Sequence, residues 1–421
     1  MRIAVIANGF PLLSETFVLN QIIGLINRGH EVDIYTRSYG DYSKMHPDVL
    51  AYKLLSRTYR LLDRPRTLSK QLQQSLWLLL QYSFVDPLRL FPVLTSSQGS
   101  FWDCLSMGFI GLGKKSYDIV HCQFGTLGEI GHCFRSINGG RLVVSFRGYD
   151  ISSYIQQHGK SVYDSVFANA DLFLTNCEFF RQRLLQLGCD PARLHVLYSG
   201  LALSQFPFQE RHFPEDGQVK IAFTGRLVEK KGIRDAITAV AQVAKRYPKI
   251  EFNIIGEGIL KQELQALIDA FGLQESIHLR GQKDRQEVIQ ILSQSHLFIA
   301  PSITASDGNQ DAPTNVLKEA MALGLPVIST RHGGIPELVQ DGISGFLVPE
   351  GDPEALADRL LYLIEHSECW PEMGRAGRQV VEQVFDLEAL NDQLVHLYEK
   401  ALTTSQDHWD FHPVVFSRKT T

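Results

Sequence analysis

A chain of 421 residues is too long for one compact core and suits two domains with room for an insertion. Its 44% hydrophobic and 21% charged residues are those of an ordinary soluble globular protein, and a formal net charge of -5 gives nucleic acid no support as a partner. No run approaches the ~20 apolar residues needed to cross a bilayer, so any membrane contact is expected to be peripheral.

MRIAVIANGF reads as a strand near Ile3–Ala7 with no basic leader or cleavage site ahead of it, so a cytoplasmic protein is expected. Gly9, in the Asn8–Pro11 turn, would let the backbone approach a ligand, and the start of a helix over Ser14–Arg28 would favour phosphate there. The turn has a single glycine, so the G-x-G-x-x-G fingerprint is missing, which counts against an oxidoreductase. Ser14, Glu15 and Thr16 read equally well as helix capping.

Further strands are expected near Val32–Thr36, Ile119–Cys122, Leu142–Phe146, Leu172–Thr175 and Leu194–Leu197, with a helix over Glu178–Leu187. Residues 42–116 are more than one crossover needs. With SLWLLLQYSFVDPLRLFPVL among them, they read as a helical hairpin over the first sheet or as a platform facing an acceptor or a membrane. VHCQFGTLG and SFRGYDIS place His121, Gln123, Arg147 and Asp150 just after strands, on the acceptor side of a cleft. Gln cannot carry a proton and Arg stays charged, so Gln123, Arg147 and Asp150 read as groups that orient hydroxyls or a phosphate; His121 reads also as a core histidine.

A proline-containing linker between Leu201 and Gly217 precedes a second round of the pattern. Strands are expected near Lys220–Phe223, Glu251–Ile255, Ile277–Leu279, Leu297–Ala300, Val327–Ser329 and Phe346–Val348, and helices over Ile233–Arg246, Ile259–Phe271, Arg285–Ser293, Asn315–Leu323, Pro353–His366 and Leu387–Ala401. This alternation predicts an α/β protein: two doubly wound parallel sheets, Rossmann-like, facing a cleft between their strand ends. The expected divisions are 1–205, 206–385, a final helix over 386–402 packing back toward the first half, and a frayed tail over 403–421. The six cysteines, at 104, 122, 133, 177, 189 and 369, show no metal-ligand spacing and read as small buried hydrophobes in a reducing compartment.

FTGRLVEKKGIRDAI puts Arg226 and Lys231 on a strand-to-helix loop, where two cations beside a helix N-terminus would neutralise a diphosphate. Arg280, at the end of HLRG, should lie beside a nucleotide base. In the segment from Ile299 to Pro349 a polar loop with Asp307 and Asp311 leads into a helix starting near Thr314, Asn315 and Val316, whose free N–H groups favour a phosphate. Glu319, one turn in, is better placed to accept hydrogen bonds from sugar hydroxyls than to sit against phosphate. The combination suggests a nucleotide sugar.

This segment resembles the signature of retaining glycosyltransferases of family 4: two acids separated by seven residues, here Asp311 and Glu319, then EAMALGLPVIST and HGGIPELV. The family's first acid is Glu where this chain has Asp311. FPLLSETFVLNQIIGLINRGHEVDIYT resembles the opening of the family members that build exopolysaccharide, including the colanic acid type. The family often has H-x-H-F-G and F-H-G-x-D where this chain has Gln123 and Arg147. The resemblance implies a GT-B fold and metal-independent transfer, with no cofactor, from a nucleotide diphosphate sugar to a hydroxyl of a lipid-linked glycan at the inner face of the membrane. It implies that Arg226 and Lys231 meet the diphosphate charge, Glu319 holds the ribose diol and Asp311 contacts the donor sugar. A sugar nucleotide epimerase on the same scaffold and a non-catalytic sugar nucleotide binding protein are the alternatives.

Overall fold

The computed structural model describes residues 1–403 except 13–14, 41–44, 63–64, 66, 86–101, 103–104, 107–109 and 111–115. Apolar runs too short for helices become strands buried on both faces, as parallel sheets require; Ile3 to Ala7 are no more than 1% exposed. The first sheet runs β3-β2-β1-β4-β5-β6-β7, from β1 (Arg2–Phe10), β2 (Glu31–Tyr39), β3 (Thr58–Arg60), β4 (Ile119–Cys122), β5 (Arg141–Phe146), β6 (Leu172–Thr175) and β7 (Leu194–Val196). The second runs β10-β9-β8-β11-β12-β13, from β8 (Val219–Thr224), β9 (Ile250–Ile255), β10 (Ile277–Gly281), β11 (Leu297–Ala300), β12 (Val327–Thr330) and β13 (Gly345–Val348). Both sheets are parallel throughout. Each reverses its order beside its first strand, between β1 and β4 and between β8 and β11, and at such a switch point the strand-end loops splay to leave a crevice.

Helices cover the sheet faces. In the first half they are α1 (Thr16–Asn27), α2 (Pro47–Ala51), α3 (Leu68–Val85), α4 (Gly128–Asn138), α5 (Ser153–His158), α6 (Asp164–Asn169) and α7 (Glu178–Gln186). The second half adds α8 (Ile233–Arg246), α9 (Lys261–Phe271), α10 (Arg285–Ser293), α11 (Asn315–Ala322), α12 (Pro353–Glu365) and α13 (Trp370–Val384), and α14 (Leu387–Thr403) ends the described chain. In α8 the buried residues Ile233, Ala236, Ile237, Val240 and Val243 recur at helical spacing and join the core under β8 and β9. Asp284 and Glu287 close a reciprocal capping box at the start of α10.

The chain crosses between the halves twice, and the crossings lie side by side. Leu201 N–H donates to the Phe385 carbonyl at 2.8 Å, and Leu387 N–H donates back to the Leu201 carbonyl at 3.2 Å. The second crossing delivers α14 onto α1, where Arg28 holds Asp392 at 2.6 Å and Glu388 at 3.0 Å.

Three differences from the sequence reading stand out. β3 turns part of the 42–116 segment into an edge strand, and α3 is one arm of the expected hairpin; its other arm, like Ser14 and the tail beyond 403, falls outside the described residues. α13 escaped notice because Pro371, Gly374 and Gly377 break its signal, although Gly374 is what lets it close on Gly324, whose carbonyl would lie 2.4 Å from an added Cβ. Cys122, Cys177, Cys189 and Cys369 are free, but Cys133 is disulfide-bonded, which corrects the expectation of thiols throughout.

Candidate active site

The switch point of the second sheet gathers its chemistry from two loops, 225–232 after β8 and 301–314 after β11. Gly232, in the left-handed region at φ 60°, lets them touch: a Cβ there would lie 1.8 Å from the Pro301 carbonyl. Lys230 and Lys231 then reach opposite oxygens of one carboxylate, with Lys230 Nζ 2.8 Å from Asp311 Oδ1 and Lys231 Nζ 2.7 Å from Oδ2. Ser302 Oγ adds a hydrogen bond to Oδ2 at 3.2 Å. Burial alone would raise the Asp311 carboxyl, but the ammonium groups of Lys231 and Lys230 outweigh it and hold the carboxyl well below the usual range. Burial in turn lowers Lys230.

Asp311 is fixed from behind as well. Its N–H donates to His332 Nε2 at 2.9 Å, and His332 Nδ1 lies 2.8 Å from Glu350 Oε1, so Nδ1 carries the ring proton. Gly333, at φ 50°, packs so closely that an added Cβ would lie 2.0 Å from the Asp311 carbonyl. The Arg226 guanidinium, in contrast, is exposed on the same loop with no ion-pair or hydrogen-bond partner among the described residues. Of the acids on these two loops, Asp311 takes both lysines, whereas Glu229 accepts from Ser306 at 2.8 Å and Asp307 from Ser153 at 3.1 Å.

Thr314 precedes α11 in an extended conformation, but its side chain caps no N–H, and its buried Oγ1 has no partner. The free N–H groups at Asn315 and Val316 therefore lack a capping acceptor. Asn315 Oδ1 accepts from Lys318 Nζ at 3.1 Å, and the same ammonium reaches the Ser199 carbonyl in the first half at 2.7 Å. Burial lowers Lys318 to about 7. Glu319, a residue further on, has its carboxyl pushed up to about 7 by burial, against the opposing pull of Arg285 and Lys318, and that carboxyl makes no hydrogen bond to a described residue.

The first half faces this cluster with a partly buried guanidinium. Arg147 lies 4.3 Å from the Phe17 ring and donates to Gln123 at 3.0 Å, Gln21 at 3.3 Å and Ser199 at 3.4 Å. Burial lowers it to about 10, and its Nε has no partner. Asp150 accepts the N–H groups of Arg147, Gly148 and Gly125, each at 2.9 Å, and so shapes the loops after β4 and β5. Three protein donors and 1% exposure leave it organising the backbone rather than meeting a ligand.

Three residues expected at the site are turned elsewhere. His121 is fully buried, its Nε2 2.7 Å from Ser145 Oγ and its Nδ1 2.6 Å from the Tyr398 hydroxyl of α14; burial lowers it to about 3, so it is a neutral core histidine. Arg280 turns back along β9 to Asn253 at 2.6 Å and Glu251 at 3.2 Å. Gly9 is a buried strand residue in register with Ser38, and an added Cβ would lie 2.8 Å from Leu12, so its small size serves packing.

The sequence reading passed over Lys230, although EKKG offers two adjacent lysines. It left Glu15 open between helix capping and the ligand loop; its side chain caps no N–H, burial raises its carboxyl to about 7, and one of its oxygens is buried without a partner among the described residues. Nor did it foresee how the halves hold each other. Glu337 accepts the N–H groups of Glu178 and Phe179 at the start of α7, and the Tyr198 hydroxyl, each at 2.8 Å. Arg183 donates to Gln310 at 2.6 Å and Ser153 to Asp307 at 3.1 Å.

The Glycosyltransferase Family 4 profile matches residues 14–205, and the Glycosyl transferases group 1 profile matches residues 205–380. The chain is 32% identical over 416 residues to WcaL of Salmonella typhimurium, named as a colanic acid biosynthesis glycosyltransferase, a match covering 95% of this chain and 100% of the relative. It is also 32% identical over 411 residues, with the same coverage, to AmsK of Erwinia amylovora, named as an amylovoran biosynthesis glycosyltransferase. Among solved structures Anabaena Alr3699/HepE, in complex with UDP and glucose, superposes with a TM-score of 0.70 at 19% identity over 95% of this chain and 100% of that one, a likeness of fold. Two Rossmann-like sheets across a cleft, both profile matches and the full-length similarity to WcaL and AmsK lead to one assignment: the chain belongs to the family 4 glycosyltransferases of the GT-B fold.

Proposed function

We propose that this glycosyltransferase moves a sugar from a nucleotide diphosphate sugar to a hydroxyl of a lipid-linked glycan in exopolysaccharide synthesis, with retention of anomeric configuration and without a metal ion. The observation that carries this reading is the set of three cations at the second switch point. Lys230 and Lys231 share a single carboxylate, with Arg226 on the same loop and without an ion-pair partner among the described residues, ahead of the uncapped start of α11. A departing diphosphate placed there meets fixed positive charge as its own negative charge develops.

In this reading the Glu319 carboxyl group, which lacks a hydrogen-bond partner among the described residues, accepts the ribose hydroxyls, and Asp311 sets the lysines while presenting an edge to the donor sugar. Arg147, beside Phe17 and Gln123, orients the acceptor. The bond from the anomeric carbon to the phosphate oxygen breaks while the acceptor oxygen bonds to the same face, and the acceptor proton passes to the leaving phosphate. WcaL and AmsK, by their names, support polysaccharide as the product class.

The test is to offer UDP- and GDP-sugars with lipid extract, identify products by mass spectrometry and read the new linkage by NMR. Transfer that preserves the donor's anomeric configuration is expected. An inverted linkage would remove the retaining assignment, and hydrolysis or isomerisation of the donor without transfer would remove the reading as a whole.

A further inference from the structure

The loop 301–314 carries Asp311 to the cleft and runs from β11 into α11 without a helix or strand of its own. A connection that long needs something to hold its shape. Short contacts close its tip, where the Gly308 N–H donates to the Ala305 carbonyl at 2.8 Å and the Ala305 N–H to the Asn309 carbonyl at 3.1 Å. Its two arms are joined through one carboxylate, Glu350, just past β13. On the outgoing arm the Thr304 N–H donates to Glu350 Oε2 at 2.6 Å. On the returning arm the Asp311 N–H donates to His332 Nε2 at 2.9 Å, and His332 Nδ1 donates to Glu350 Oε1 at 2.8 Å. Glu350 thus grips both arms, one directly and one through an imidazole.

The grip works in one protonation state. A backbone N–H can only donate, so Nε2 has to present its lone pair to Asp311. A proton added at Nε2 would set two donors against each other and break the hold on Asp311, while the contact with Glu350 stays. His332 is 0% exposed and its contact with the Asp311 N–H is buried, so water does not replace the lost partner unless the loop moves. The charged groups around the ring are Glu350 from the segment after β13, Asp311 from the returning arm, and Lys230 and Lys231 from the loop after β8, both held by Asp311. Arg331, next in the chain, is turned to Asp341.

The same grip sets the charge at the switch point. The Asp311 carboxylate holds Lys230 and Lys231, and its backbone leads directly into Thr314 and the start of α11. A displaced Asp311 shifts the lysines and the free N–H groups of α11 relative to each other, and a misplacement of about 1 Å can cost about 10²-fold in rate.

We infer that His332 and Glu350 are positioning residues: they clasp the loop 301–314 in the shape that meets the donor diphosphate, and the clasp holds only while His332 is neutral. This rests on the reading of the loop as part of the donor site, and extends it to a buried ring that meets no substrate.

The test has two readouts on the full chain. Hydrogen exchange without donor follows the amides of residues 304–311, and turnover is read at saturating donor, where a change in donor affinity does not enter. In His332→Ala exchange at Asp311 should quicken about tenfold and turnover should fall about 10²-fold. His332→Gln, whose amide oxygen accepts the same N–H and does not titrate, should bring both back toward the parent. In the parent, acidification should quicken this exchange, corrected for its intrinsic pH dependence, and slow turnover; His332→Gln should lose both responses. If His332→Ala does not fold, Glu350→Ala, at a partly exposed side chain, takes its place with the same expected losses. The inference is overturned if either readout in the alanine variant matches the parent, or if His332→Gln keeps the parent's response to acid. A parent chain that transfers no sugar from UDP- or GDP-sugars would instead remove the reading of the site, while the exchange readout still decides the clasp.

Discussion

The ammonium of Lys231 lies 2.7 Å from Oδ2 of Asp311, and because Lys230 takes the other oxygen, the buried carboxylate is the counter-charge shared by two partly buried cations. Removing it leaves the lysines facing each other. Asp311→Asn should cost about 3–5 kcal/mol, the range for breaking a buried pair, read by chemical unfolding near neutral pH. The sign with pH follows from the depressed folded carboxyl: the contribution is complete above its ordinary value of 3.8 and lost as pH falls below it. The gap between parent and variant should therefore close in acid; a gap unchanged there would count against the triad as its source.

Arg226 and Lys231 share a loop but not a structural role. Arg226 has no ion-pair partner among the described residues, so Arg226→Ala should lower turnover by about 10² to 10³ with no change in melting temperature. Lys231→Ala should lose comparable activity and also melt earlier, since Asp311 loses one of its cations. Equal thermal behaviour in the two variants would contradict this division.

A donor-binding role for Glu319 would tie donor affinity to pH. Its carboxyl, raised to about 7 by burial, ionises as pH climbs through that value, and the ionised form is the better acceptor for a sugar diol. Donor affinity, followed by calorimetry, should strengthen from about pH 6 to about pH 8, and Glu319→Gln should flatten the curve. Without donor the sign reverses: the raised folded value means that stability contributed by this group declines as pH rises from 4.5 toward 7. A donor affinity with the same pH slope in the variant would sink the assignment.

Glu337 belongs to the second half but supplies the missing acceptors at the start of α7 in the first. Glu337→Ala strands two N–H groups and the Tyr198 hydroxyl, which should cost about 1–3 kcal/mol and loosen the approach of the halves. Small-angle scattering should report a larger radius of gyration for the variant. An unchanged radius with unchanged stability would mean that the contact holds nothing together.

Most of the fold is legible in the sequence because a buried parallel strand and an amphipathic helix leave different periods, and the alternation repeats twice. The loops with Arg226, Lys231, Asp311 and Thr314 to Glu319 could be located for the same reason: each follows a strand, and doubly wound topology sends those strand ends to one crevice. Side-chain direction is harder to read. Arg280 looked like a cleft residue, but the register shift between Leu279 and Gly281 accompanies a side chain turned back along β9. His121 looked polar and near the cleft, yet all four residues of β4 are buried, and its partner Tyr398 comes from a helix 277 residues later in the chain, beyond any local pattern.

The paired crossings at Leu201 and Phe385 to Leu387 bear on how this enzyme moves. A single connecting thread would let the two lobes swivel freely, whereas two threads stitched by reciprocal amide contacts resist torsion. The lobes should thus open and shut like a book on its spine, about one axis, so that the walls carrying Arg147 and Lys231 meet in the same alignment at every turnover.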